Sequence, residues 1–197
     1  MKVSFDIDGV LANFGANVAP IINEKWPNKV PADPQPNDWY YTMYGLTRED
    51  WGPIFDVIKK TPNFWRREPA YKTNVDSAIR FIHSNPEVTV YFMTQRPDTE
   101  GGTAYDQTLD WLVDHNLYPF DKEVTTPIIV KDPSEKAGLM KKLEIDFSID
   151  DKQETVTQCN SVSGHRAYLL DRPWNQISTE PRVYTVDHFT DIIKKRG

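Results

Sequence analysis

Apolar and polar positions along the chain switch between two periods, and the switches mark the elements. Val3–Ile7 is a short apolar run that stops before Gly9, the pattern of a buried strand. Val75, Ala78, Ile79 and Ile82 recur at helical spacing, which predicts a helix over Val75–Ile82. Val88–Met93 is β-branched and aromatic between Pro86 and Pro97, and predicts a second strand. Gly102–His115 follows as a helix, with Ala104, Leu109, Leu112 and Val113 along one side. Pro127–Val130 predicts a strand, and Ser134–Leu143 a helix with Ser134 as its N-cap. Phe147–Ile149 and Ala167–Leu170 are two further apolar strands. Val183–Val186 predicts a short last strand before a closing helix, Asp187–Lys195.

Strands alternating with helices predict an α/β fold, a Rossmann-like parallel sheet covered by helices on both faces. One stretch breaks the rhythm. Residues 14–71 hold 11 of the 24 aromatics and 8 of the 15 prolines, while their seven basic and seven acidic side chains cancel. A proline-broken, aromatic-rich segment between two regular regions reads as a small helical cap inserted after the first strand. The expected division is a core of residues 1–13 and 73–197 with an insertion at 14–72. A loop-rich flank of the main core is the alternative.

Length adds a bound: 197 residues suit one ordinary domain with an insertion. The single cysteine, Cys159, excludes an intramolecular disulfide framework and a multi-cysteine zinc site, as expected of a reducing compartment. No apolar run has the roughly 18–20 residues that cross a bilayer, and Met1–Phe5 leaves no room for a signal segment. A cytoplasmic protein without a membrane partner is expected. The net charge of −6 argues against a stable complex with nucleic acid, but not against a small anion bound by local Lys and backbone N–H groups.

In parallel sheets, chemistry gathers at the carboxyl ends of strands. Three ends here carry reactive residue types: Asp6 and Asp8 before Gly9; Thr94, Gln95 and Arg96; and Asp150, Asp151 and Lys152. Each has a plain explanation: an acidic pair can cap a helix, and Thr94 fits a strand. Brought together, four carboxylates would repel, and a divalent cation is the usual resolution. Oxygen ligands without His or Cys select a hard ion such as Mg²⁺. Gly9 lets the backbone turn, so that Asp8 could offer its carbonyl while its side chain points elsewhere. Such a site suits phosphoryl transfer: one carboxylate attacks, a second acts as acid and base, Thr94 donates to a phosphate oxygen, and a lysine adds charge. Lys136, starting a helix, is the better-placed lysine, and Lys131, at a strand end, competes with it.

Asp6-Ile-Asp-Gly-Val10, Thr94, Lys136 and Ile149-Asp-Asp151 resemble the four ordered motifs of the haloacid dehalogenase superfamily. The chain also resembles the 5′(3′)-deoxyribonucleotidases and their bacterial and phage relatives. That likeness rests on Phe5–Ala12, Asn63-Phe-Trp65 with Pro69, Val75–Ile82 leading to Tyr91–Thr94, Ile149–Lys152 and Leu170-Asp-Arg-Pro-Trp-Asn175. The resemblance implies a Mg²⁺-dependent phosphatase of (deoxy)nucleoside monophosphates. Asp6 would be the nucleophile, forming an aspartyl-phosphate, and Asp8 the general acid and base. The metal would be held by the Asp6 side chain, the Asp8 carbonyl and Asp151, with Asp150 in support. Thr94, Gln95 and Lys136 would bind phosphate, and the insertion would close over the nucleoside.

Two positions depart from the mammalian pattern. Gln95-Arg96 follows Thr94, where those enzymes have a small hydroxyl residue and no arginine, and Lys152 stands where arginine is frequent. Arg96 and Lys152 are therefore candidates for substrate contact, and a plain ion pair with a carboxylate is the competing role for Arg96. Among the insertion's aromatics (Trp39, Tyr40, Tyr41, Tyr44, Trp51, Phe55, Phe64, Trp65) most are expected in its own core. Phe64 and Trp65 are singled out for base stacking. The motifs of P-loop NTPases, dinucleotide-binding enzymes and serine hydrolases are missing. Another small phosphomonoester, such as a sugar phosphate or a nucleic-acid 3′-phosphate end, or nucleotide binding without turnover, are the competing functions. Monomer and homodimer stay open.

Overall fold

The structure, a computed structural model, describes residues 1–31, 41–118 and 127–195. Six strands form one sheet: β1 (Lys2–Phe5), β2 (Thr89–Gln95), β3 (Ile128–Val130), β4 (Phe147–Asp150), β5 (Arg166–Leu170) and β6 (Arg182–Val183). All neighbouring pairs run parallel, in the order β3-β2-β1-β4-β5-β6. The helices are α1 (Phe14–Lys25), α2 (Trp51–Lys60), α3 (Lys72–Ser84), α4 (Ala104–Asp114), α5 (Glu135–Leu143), α6 (Gln153–Asn160) and α7 (Val186–Lys194). Among the described residues, no helix is long and apolar enough to cross a membrane.

The two-residue period of the strands divides the core into two layers. Val3, Phe5, Val90, Phe92, Ile149, Tyr168 and Leu170 pack with α3, α4 and α7 through Val75, Phe81, Trp111 and Phe189. Their neighbours Tyr91, Met93, Ala167 and Leu169 face the other way, onto Met140 of α5 and Val156 and Cys159 of α6. The Rossmann-like sheet with helices on both faces is thus present.

Between β1 and α3 the chain leaves the sheet and builds a third cluster. Phe14, Val18 and Ile22 of α1 and Trp51, Ile54 and Ile58 of α2 pack with Tyr41, Phe64 and Trp65. Exit and return run side by side: Asn13 N–H donates to Pro69 O at 2.7 Å and Tyr71 N–H to Leu11 O at 2.8 Å. Trp39 and Tyr40 lie outside the described residues.

Several local readings change; the last strand is only Arg182–Val183, and Val186 already opens α7. The first strand ends at Phe5, because Ile7 O accepts the N–H groups of Leu11 and Ala12 and turns the chain. Helix α6 is additional; its sequence has only Val156 and Cys159 as buried apolar positions, too few for a visible stripe. Ser134 makes no side-chain cap for α5. Asp132 Oδ1 instead accepts from Ser134 N–H (2.9 Å) and from its hydroxyl (2.6 Å).

Candidate active site at the carboxyl ends of β1, β2 and β4

Register explains why distant motifs meet. Phe5 of β1 pairs with Phe92 of β2 and with Ile149 of β4. One residue further, Asp6 and Asp150 emerge side by side, and Thr94 follows at the end of β2. The strand order reverses between β1 and β4, so the carboxyl ends open a crevice there, where open α/β sheets bind ligands.

Asp6, Asp150 and Asp151 each bring a carboxylate oxygen within 4.8 Å of the others, and all three side chains are buried. Lys136, at the start of α5, donates from Nζ to Asp6 Oδ1 and to Asp150 Oδ2, both at 2.7 Å. Asp150 Oδ1 accepts from Lys152 N–H at 2.9 Å, so this residue meets the cluster through its backbone. Lys131 is exposed at the end of β3, and its carbonyl accepts from Gln95 Nε2 at 3.1 Å. Gln95 is exposed too; its side chain is bound there, outside the carboxylate cluster.

Asp8 is turned elsewhere. Its Oδ2 accepts from the Thr94 hydroxyl at 2.7 Å and from Arg96 Nε at 3.0 Å, and Oδ1 accepts from Arg96 Nη2 at 2.7 Å. Arg96 is completely buried. It also donates to Thr108 Oγ1 at 3.1 Å and pairs with Glu68, and its guanidinium lies 4.9 Å over the Trp65 ring. The structure therefore assigns Arg96 an ion pair with Asp8 and Glu68.

Phe64 and Trp65 are each about 2% exposed, which puts them inside the apolar cluster packed on α1 and α2 instead of on an open cleft wall. Their rings meet edge to face at 4.9 Å, and Trp65 Nε1–H donates to Pro97 O at 2.8 Å. Both are large apolar rings in a segment with few other ways to build a core.

Among the described residues, electrostatics follows from five buried carboxyls (Asp6, Asp8, Glu68, Asp150, Asp151) and two buried cations, Arg96 and Lys136. Burial raises the Asp6 carboxyl well above its ordinary value; Lys136 opposes this, while the neighbouring aspartates add to it. Burial and then Asp150 raise Asp151 to about 7. Glu68 is pushed well up by burial and by Asp8. Burial would also raise Asp8, but Arg96 and the Thr94 hydroxyl outweigh it and hold that carboxyl below the ordinary range. Burial opposes the Lys136 charge, yet Asp150 and Asp6 keep the ammonium protonated. Burial drives the Cys159 thiol up to about 12, so it supplies no thiolate nucleophile.

The donor set fits a hard divalent cation. Its ligating groups are all oxygens, and the carboxyls outnumber the cations. Asp151 Oδ1 is buried with no hydrogen-bond partner. Gly9 (φ +81°) makes room for this carboxylate: a Cβ there would fall 2.2 Å from Asp151 Oδ2.

Several participants escaped sequence reasoning. Glu68 reads as one more surface charge beside Arg66 and Arg67, yet it is buried on Arg96. Trp174 and Asn175, quoted above only as part of a resemblance, hold Asp151. No local sequence signal marks Glu68; only the burial of Arg96 in the fold reveals it.

An all-parallel sheet with an acidic cluster at its topological switch point defines a Rossmann-like α/β class. Within that class, a solved haloacid dehalogenase and two solved phosphatases share the fold. The chain superposes on L-2-haloacid dehalogenase from Xanthobacter autotrophicus, solved with chloropropionic acid covalently bound, with TM-score 0.60 and 12% identity over 100% of this chain and 99% of that one. D,D-heptose 1,7-bisphosphate phosphatase from B. bronchiseptica, complexed with magnesium and phosphate, gives 0.55 and 10% over 100% of both chains. The corresponding phosphatase from Burkholderia thailandensis gives 0.52 and 9% over 98% and 97%. No family model matches the chain. No curated protein matches it in sequence.

Proposed function

We propose that this protein is a Mg²⁺-dependent phosphomonoesterase that hydrolyses deoxyribonucleoside monophosphates through an aspartyl-phosphate on Asp6. The observation that carries the reading is the placement of Asp6 beside Lys136 and Asp150, one residue beyond the central strand, with Thr94 and Asp8 adjoining. An Asp6 oxygen attacks phosphorus, the bond from phosphorus to the leaving alkoxide breaks, and a proton on Asp8 passes to that alkoxide. Water then gives a proton to Asp8 and attacks the phosphorus, releasing phosphate and restoring the Asp6 carboxylate. Arg96 favours the ionised form of Asp8, which suits the water-activating half.

Lys136, 2.7 Å from Asp6, stands ready to offset charge on the phosphoryl group, and the Thr94 hydroxyl, which donates to Asp8 Oδ2 here, would turn from Asp8 to donate to one of its oxygens. Asp6, Asp151 and the Asp8 carbonyl would hold Mg²⁺, with Asp150 in support. When bound, the ion supplies the positive charge that lets an anionic carboxylate approach an anionic ester. The nucleoside half rests on the motif resemblance, and residues 14–72 would act as the cap that reads it.

The test is phosphate release from 5′- and 3′-nucleoside monophosphates and from sugar phosphates, with and without Mg²⁺, beside Asp6→Asn. Release from deoxynucleotides is expected, lost with chelator and lowered by several orders of magnitude in Asp6→Asn. Release from sugar phosphates alone would keep the mechanism and replace the substrate. Tight nucleotide binding, with release at the same background rate in both proteins, would mean a binding protein.

A further inference from the structure

The turn after β5 reaches the site from behind. Trp174 Nε1–H donates to Asp151 Oδ2 at 2.9 Å, and Asn175 Nδ2 donates to Asp151 O at 2.9 Å and to Leu170 O at 2.7 Å. Arg172 donates from Nε to Gly9 O at 2.6 Å and lies 4.4 Å over the Tyr71 ring. The turn is itself secured, since Arg182 Nη1 donates to Asp171 Oδ1 at 2.5 Å and to Asn175 Oδ1 at 2.8 Å. One short segment thus grips the Asp151 side chain, its carbonyl, and the loop just past Asp8.

The donors chosen for the carboxylates differ in kind. Asp6 and Asp150 take Lys136, and Asp8 takes Arg96, so each meets a full positive charge. The side-chain bond to Asp151 comes from an indole N–H, a neutral donor with no acceptor capacity. It holds one oxygen of the carboxylate and brings no charge of its own. The other oxygen, Oδ1, stays buried without a hydrogen-bond partner. Outer groups that orient a ligating carboxylate commonly change metal affinity by about 10–100-fold when removed.

We propose that Trp174 is a positioning residue for the divalent cation, setting affinity by presenting Asp151 Oδ1 to the ion. The proposal rests on the metal reading above and adds which residue outside the ligand set tunes it. The experiment titrates chelator-stripped protein with Mn²⁺ (electron paramagnetic resonance) and with Mg²⁺ (calorimetry), comparing wild type, Trp174→Phe, Asp151→Asn and the double variant.

Wild type is expected to bind, and Trp174→Phe to bind about 10–100-fold more weakly with its metal-free melting temperature within about 3 °C. In the Asp151→Asn background, Trp174→Phe should cost nothing further, because the two act as one unit. Equal affinity of wild type and Trp174→Phe would overturn the positioning role while leaving the metal site standing. So would an equal loss in the Asp151→Asn background. A wild type that binds neither ion would remove the metal reading, and this proposal with it. If Trp174→Phe does not fold, the ¹⁵N-indole resonance of Trp174 in wild type decides: a shift on saturating Mg²⁺ supports the role, and an unmoved resonance refutes it.

Discussion

Replacing Arg96 with Met keeps an apolar stem of similar reach but removes the guanidinium from between Asp8 and Glu68. All three side chains are buried, Arg96 and Glu68 completely, so the carboxyls left behind cannot recover solvation. Removing one partner of such a buried pair costs about 3–5 kcal/mol, chiefly from the uncompensated charge. For a chain of this size, that loss lowers the melting temperature by roughly 6–20 °C. The bond to Thr108 and the contact over Trp65 are lost as well, which places the expectation in the upper half. A second variant isolates the cause. Glu68→Gln in the Arg96→Met background removes one stranded carboxyl and should recover part of the loss, with a coupling of about 1–3 kcal/mol. The assay is thermal unfolding by circular dichroism at neutral pH in chelator. A drop below about 3 °C for Arg96→Met, or strict additivity of the two changes, would refute the charge argument.

Two further outcomes follow from other residues. Gly9→Ala forces a side chain into a left-handed turn, at about 1–2 kcal/mol, and drives its Cβ into the Asp151 carboxylate. It should lower both the melting temperature and Mn²⁺ affinity, and a variant unchanged in both would show that the close approach is unimportant. His165 is held neutral, Nδ1 bonding Ile145 O at 2.7 Å and Nε2 meeting Ser148 Oγ at 3.0 Å, and burial pushes its imidazole below the ordinary value. The unfolded chain therefore binds the proton first, so stability holds above about pH 6.5 and falls as the pH drops toward the lowered value. His165→Gln should lose less melting temperature than wild type on going from about pH 7.5 to 5.5, and parallel curves would exclude His165 as the source.

How much of this could be read beforehand depends on where a residue's environment comes from. The strands were legible because both sheet faces are covered, so Val90–Met93 and Ala167–Leu170 are apolar at successive positions. Helix α6 was not, because although it packs on α5, β4 and β5, only Val156 and Cys159 are apolar among its buried positions. The end of β1 shifted by two residues because Ile7 is as apolar as a strand residue, and only the hydrogen bonds to its carbonyl reveal the turn. Ser134 had the right residue type for a cap, and a competing partner two residues earlier took its hydroxyl.

The site divides along the same line. Asp6, Asp150 and Thr94 announce themselves, since a polar group at the end of an apolar strand has one place to go in a parallel sheet. Lys136, read as the start of a helix, was already preferred over Lys131 at its strand end, and the fold supplies the physical reason: the start of α5 turns Lys136 inward, while the end of β3 leaves Lys131 exposed. Glu68 and Trp174 are farther from the motifs in sequence than any local pattern spans, 28 residues from Arg96 and 23 from Asp151. Their roles come from the electrostatic needs of the residues they touch. Arg96 is buried between Asp8 and Glu68, so the partner that completes its surroundings comes from a segment outside every motif. Asp151 differs: its side-chain contact is an uncharged N–H donor. The indole N–H is such a contact, and under the proposed metal reading a lysine or arginine at position 174 would compete with the cation for the same carboxylate.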